Sequence, residues 1–260
     1  MIESYLAIPG AIAIGLSLGL LGSGGSILTV PVLVYLVGQD EKVAIAGSLF
    51  IVGSIALAGS LQYLKSGLIQ WRSVVIFGVP GMIGTWGGAM IAAYVPGITQ
   101  LALFAVVMLL ASWLMLRPPD LEHSAPTERA IWKIASDGLI VGVVTGLVGV
   151  GGGFLIVPAL VLLGGLTMHQ AVASSLVIIA LKSFSGFYKY LGVLEQQSLQ
   201  LDWPTLWLVT ALGVIGSVAG GALAKRVPQA RLKTAFGYFL IVMGIYILAR
   251  SAPAALGFAT

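Results

Sequence analysis

Chemistry in this sequence is confined to a few polar groups set in apolar surroundings, and their types point to recognition of an anion. Lys182 is the one charge well inside an apolar run, about fifteen residues into a helix that begins near Thr167. At helical spacing Ser175, Lys182, Ser185 or Gly186, and Lys189 share one face. That face would offer a negatively charged solute an ammonium and hydroxyls along one path. Two glycine-rich stretches supply a second means of holding it: GLLGSGGSILTVPVL (Gly19–Leu33) and GLVGVGGGFLIVPAL (Gly146–Leu160). Glycine costs roughly 1 kcal/mol in a helix interior and proline about 3, so both runs predict a broken helix, at Gly22–Ser26 and at Val150–Gly153. The free N–H groups and positive dipole end of each second half-helix suit an anion. The expected substrate-binding residues are therefore Ser23, Gly24, Gly25, Ser26, Ser48, Gly151, Gly152, Gly153, Ser175 and Lys182, with Gln62, Ser185 and Lys189 as pathway residues.

Each has a plainer reading. A serine can bond its own helix backbone. Lys182 can snorkel toward an interface, leaving Lys189 as an interfacial anchor. Ser48 and Ser175 carry more weight because they recur at matching places and follow the two breaks.

An enzyme is not expected. All nine carboxylates (Glu3, Asp40, Glu41, Asp120, Glu122, Glu128, Asp137, Glu195 and Asp202) fall in loops or at segment ends. The only histidines are His123 and His169, and there is no HExxH. Metal and triad chemistry lack their groups, so neither metal nor cofactor is predicted. With no cysteine, thiol chemistry and disulfides are excluded.

The elements that carry these residues are membrane helices. The chain is 58% hydrophobic and 8% charged, where soluble domains carry about 25% charged residues. Apolar runs long enough for a bilayer recur throughout, at about 6–21, 25–37, 43–64, 73–94 and 98–116, then 134–148, 153–164, 168–191, 203–224 and 232–249. The net charge of +4 is no nucleic-acid signal, because the basic residues sit between apolar runs without a basic stripe. The N-terminus reads as a first membrane segment, having no basic n-region.

The two sets of five segments are copies of one unit. Residues 14–64 and 141–191 share 21 identities in 51 positions at an offset of 127. After an insertion near 194–198 the offset becomes 132, aligning Pro80–Ala89 with Leu212–Gly221 and the Val-Pro pairs at 95–96 and 227–228. The expected organisation is a first transmembrane repeat (1–117), a polar linker (118–133), a second repeat (134–250) and a tail (251–260). Within each unit the broken pair is either one long crossing helix or two short helices folded back on each other. Basic residues discriminate. A fold-back inverts the second unit and puts Lys65, Arg72, Arg117, Arg129, Lys133, Lys225, Arg226, Arg231 and Lys233 on one side, against Lys42, Lys189 and Arg250 on the other. That nine-to-three bias obeys the positive-inside rule. The predicted fold is all-α and integral to the membrane: two inverted-topology repeats, each a glycine-broken, re-entrant-like helix pair plus three transmembrane helices. The linker is then cytoplasmic and both termini outside, in the cell's inner or plasma membrane.

Matching breaks in inverted halves point to a midplane site, since irregular backbone in lipid is tolerated only where it is buried or lines a cavity. Pro31 and Pro158 would kink the second half-helices. The stripes Gly81, Gly84, Gly88 and Gly213, Gly216, Gly220 read as small-residue packing.

The motif Gly-x-x-Gly-x-Gly-Gly-Gly-x-x-x-x-Pro, followed by a polar turn and Ala-x-Ala-x-Ser-Leu, resembles the TauE/SafE sulfite exporter (TSUP) family. Here it comprises Gly146, Gly149, Gly151, Gly152, Gly153, Pro158, Ala171, Ala173, Ser175 and Leu176. The first copy has Gly19, Gly22, Gly24, Gly25, Pro31, Ala44, Ala46, Ser48 and Leu49, with Ser26 where the triple glycine would end. The resemblance covers essentially the whole chain. It implies secondary transport of small sulfur-containing anions: sulfite, thiosulfate or organosulfonates such as sulfoacetate. The expected partners are that anion and the lipid bilayer, with a homodimer as one assembly open to it. A passive anion channel and a non-transporting binding or scaffold subunit remain the alternatives. With no Asp, Glu or His inside a segment, coupling through a buried carboxylate is not expected.

Overall fold

A computed structural model describes residues 2–116, 131–148 and 153–255; the linker and Gly149, Gly151 and Gly152 lie outside the described residues. Those described form ten α-helices and no strand: α1 (Ile2–Leu21), α2 (Gly24–Pro31), α3 (Glu41–Ser60), α4 (Trp71–Ala92), α5 (Gly97–Leu116), α6 (Ile131–Val148), α7 (Gly153–Pro158), α8 (Met168–Gln196), α9 (Trp203–Ala224) and α10 (Gln229–Ala255). Among the described residues, six helical stretches are long and apolar enough to cross a membrane. Tyr94, Ile83, Val242 and Ile215 are among the many apolar side chains left facing outward, as a lipid-embedded surface requires.

Local chemistry sets the boundaries. Asp40 caps α3 by accepting from Lys42 N–H at 2.8 Å. Thr167 and Gln170 form a reciprocal capping box at the start of α8. After Pro31 and Pro158 the helices widen into π-helical turns, Val32–Leu36 and Ala159–Leu163. Proline has no N–H to give and crowds the preceding turn, so the expected kinks take this form.

Helix directions follow from which residues meet. α1 and α2 fold back: a Cβ on Gly24 would lie 3.0 Å from Ser17 O, and one on Gly10 would lie 2.9 Å from Val32. The turn between them needs Gly22, at φ +73°, a region costly to any residue with a Cβ. α3 and α8 cross antiparallel, with Leu49 by Gly186, Gly53 by Ser183 and Gly59 by Leu176. α5 and α10 are also antiparallel, with Leu116 by Gly237 and Leu109 by Gly244. By contrast α1 runs parallel to α9, and α4 to α6. A side chain on Gly15 or Gly19 would strike the Gly213 or Ser217 carbonyl, and one on Gly84 or Gly88 the Leu139 or Val143 carbonyl. The glycine stripes thus let two backbones touch, which is how membrane helices associate without a hydrophobic drive.

Candidate functional site

The candidate site lies where the starts of α2 and α7 meet. A Cβ on Gly153, the first residue of α7, would stand 3.0 Å from Ser26 Oγ, 3.1 Å from Ser23 Cβ and 2.7 Å from Ile179 Cδ1. Ser26 and Gly153 occupy equivalent places in the two copies, so the start of α2 faces the start of α7. Ser23, Gly24, Gly25, Ser26 and Gly153 are all buried.

Their hydroxyls are not equally available. Ser26 Oγ donates to Ser23 O at 2.7 Å, and Ser48 Oγ to Ile45 O at 2.8 Å. Ser175 Oγ lies 3.1 Å from Gly22 O and 2.9 Å from Val172 O. Ser175 thereby ties α8 to the tip of the first hairpin, holding a carbonyl that the turn leaves open. These three serines spend their protons on backbone and could serve an anion only after rearrangement. Ser23 Oγ is buried with no hydrogen-bond partner among the described residues, which makes it the available donor at the break.

Lys182 is 0% exposed, and its Nζ has no hydrogen-bond partner among the described residues. It does not snorkel. The pairs that meet along α3 and α8 run from Leu49 by Gly186 to Gly59 by Leu176, a stretch that includes Lys182. Its stem fills the notch left by Gly81, with Cδ 3.1 Å and Cε 3.4 Å from where a Cβ would be, beside the Gly138 carbonyl. Ile179, which touches the start of α7, is three residues before it on the same face. The matching residue of the first copy, Ile55, lies in the equivalent notch at Gly213. One half therefore carries a buried amine where the other carries a hydrocarbon.

The expected pathway residues do not converge on the break. Gln62 donates toward Ser217 O (3.4 Å) on α9, and Ser185 Oγ toward Met82 O (3.4 Å) on α4. Lys189 Nζ sits 5.0 Å from the centre of the Trp86 ring, an outward-facing residue, as an interfacial anchor would.

Sequence reasoning missed one constellation. Lys42, counted with the loop cations, is buried at the start of α3; its Nζ donates to Ala92 O (2.6 Å), Val95 O (2.6 Å) and Gln100 Oε1 (2.8 Å). Gln100 Nε2 in turn reaches Leu147 O (2.5 Å) and Tyr190 Oη (3.1 Å), and Tyr190 Oη lies 3.3 Å from Gly146 O. The available signal was the recurrence of tyrosine at 63 and 190 in the two copies. Among the described residues no group of three or more His, Asp or Glu is placed to hold a metal ion.

The sulfite exporter TauE/SafE family model matches residues 7–247. A probable membrane transporter protein of Xylella fastidiosa is 34% identical over 249 residues, covering 92% of each chain. One from Bacillus subtilis is 30% identical, covering 88% of this chain and 91% of its own. One from Methanocaldococcus jannaschii is 24% identical, covering 95% and 97%. No solved structure matches.

Proposed function

The chain belongs to the sulfite exporter TauE/SafE family, and on that premise we propose that this multi-pass membrane transporter carries small sulfur-containing anions, such as sulfite or organosulfonates, by alternating access. The observation that carries the reading is the meeting of the two breaks, with the start of α7 against Ser23 and Ser26 and a buried, unpartnered hydroxyl on Ser23. Backbone N–H groups at the half-helix starts and this hydroxyl match the oxygen-rich face of a sulfonate. Lys182 supplies the formal charge that a purely backbone site lacks.

The alternating-access part rests on inverted repeats. The equivalent helices α3 and α8 run antiparallel, as do α5 and α10, which is the relation expected of two copies turned over about an axis in the membrane plane. Rocking the repeats about that axis would open the break to one side and then to the other. The positive-inside bias supports a cytoplasmic linker.

The test is flux in proteoliposomes with sulfite, thiosulfate, sulfoacetate and taurine, each beside a carboxylate of similar size, and with Lys182→Ala in parallel. Saturable flux of one sulfur anion, showing counterflow and reduced by the mutation, is the expected result. Ohmic single-channel current would make the protein a pore, and absence of flux for every sulfur anion would end the substrate reading.

A further inference from the structure

The Lys42–Gln100–Tyr190 network occupies one end of the bundle only. α3 starts there, while α4, α6 and α8 run toward it, and α5 leaves from it. Helix ends leave carbonyls without intrahelical partners, and in a membrane no water is at hand to satisfy them. Lys42 serves those at the end of α4; Gln100 and Tyr190 serve Gly146 and Leu147 in the last turn of α6. That last turn leads into the second glycine break. Three side chains from three helices thus fasten the tip of one hairpin to the ends of its neighbours.

Among the described residues the opposite end lacks this three-residue network: the tip of the first hairpin is held there by the shared hydroxyl of Ser175, 3.1 Å from Gly22 O, and Gln62 makes only a long contact, 3.4 Å, to Ser217 O. The positions matching Lys42, Gln100 and Tyr190 are His169, Leu232 and Tyr63. Leu232 can neither donate nor accept. Tyr63 Oη is buried without a hydrogen-bond partner among the described residues, its ring lying 5.1 Å from Lys225 Nζ. Both hairpin tips are thus fastened, but one by a single shared hydroxyl and the other through a network anchored on a charged lysine, which is more than capping alone requires.

We propose that Lys42, Gln100 and Tyr190 are positioning residues that latch the second hairpin and close the bundle at the end where α3 begins, so that the carrier's two states are unequal by construction. This rests on alternating access but not on the identity of the anion. By the distribution of basic residues, the latched end is the external one. Opening it means parting charge-assisted hydrogen bonds from carbonyls that find no other donor, which costs more than an ordinary surface contact.

The chain contains no cysteine, so a single Ser23→Cys reporter at the break gives one labelling site. The measurement is its rate of reaction with a membrane-impermeant thiol reagent from each face, in the full-length protein in vesicles. Tyr190→Phe removes the hydroxyl that reaches Gly146 O, and Gln100→Leu removes the bond to Leu147 O together with those to Lys42 and Tyr190; each should raise labelling from the latched face, the second by about tenfold or more, on the scale of losing two or more such bonds. Tyr63→Phe, at the unlatched end, should leave that rate unchanged. Equal labelling in all backgrounds, or none from either face, with protein that remains folded and monodisperse, would overturn the latch. Flux, measured in parallel in protein that keeps Ser23, distinguishes the two readings. A labelling change in protein that carries no sulfur anion keeps the latch and removes the substrate proposal, whereas normal flux with unchanged labelling does the reverse.

Discussion

Replacing Lys182 by methionine should make the protein more stable and transport worse. The ammonium is wholly buried and unpartnered among the described residues, and an unpaired buried charge costs several kcal/mol even after relaxation. The hydrocarbon part of the side chain does the packing, since Cδ and Cε fill the Gly81 notch. Methionine keeps an unbranched stem of similar reach, so the repacking cost stays under about 1.5 kcal/mol. Subtracting one from the other leaves a net stabilisation of about 2 kcal/mol. For a chain of this size about 1 kcal/mol moves Tm by roughly 2–4 °C, which predicts a rise of about 4–8 °C. Tryptophan fluorescence during thermal unfolding in detergent reads it, and sulfur-anion flux in vesicles reads the loss. A lower Tm for Lys182→Met would refute the reasoning. It would mean that the ammonium is held by structural partners, and that its burial is not stability given up for a site.

Five further substitutions test the packing, the break and a helix cap. Gly84→Val should abolish recovery of monodisperse protein, because its side chain would run into the Leu139 carbonyl, while Gly87→Ala, with open space around it, should raise stability by about 0.5–1 kcal/mol. Ser175→Ala should cost about 1 kcal/mol in thermal unfolding, because Gly22 O loses its donor; Ser23→Ala should leave Tm unchanged and raise the half-saturating anion concentration in flux assays. Thr167→Ala should cost about 1 kcal/mol by removing the cap of α8, read by the same melt.

The duplicated glycine runs were legible in the sequence because glycine and proline are costly inside a helix, so two matching violations announced two breaks. The structure adds that the first pair folds back and that the starts of α2 and α7 face each other. Its glycine stripes fit the packing expected of them because only a missing Cβ lets a carbonyl of the neighbouring helix approach. Lys182 was legible for the same reason as the breaks, being out of place. Lys42 was not. It lies one residue into α3, and a lysine at a segment end looks the same whether it faces water or caps a neighbour's carbonyls. Gln100 and Tyr190 are ordinary in a chain of this composition, and their partners are backbone atoms, which leave no residue-type signal. The serines show a related limit. Spacing put Ser23 and Ser26 at one break, but only geometry separates the hydroxyl spent on a carbonyl from the one that is not.

The parallel pairing of α1 with α9 and of α4 with α6 has a consequence for biosynthesis. α6 emerges after its partner already exists, whereas α9 begins 182 residues after α1 ends (Trp203 against Leu21). At about 5–20 residues per second, the glycine face of α1 waits roughly ten to forty seconds in the bilayer with its partner unmade. The first hairpin is therefore the part of the nascent chain most in need of an insertion chaperone, and a chain stopped before residue 203 carries a first helix packed against α2 on one side with its glycine face uncovered.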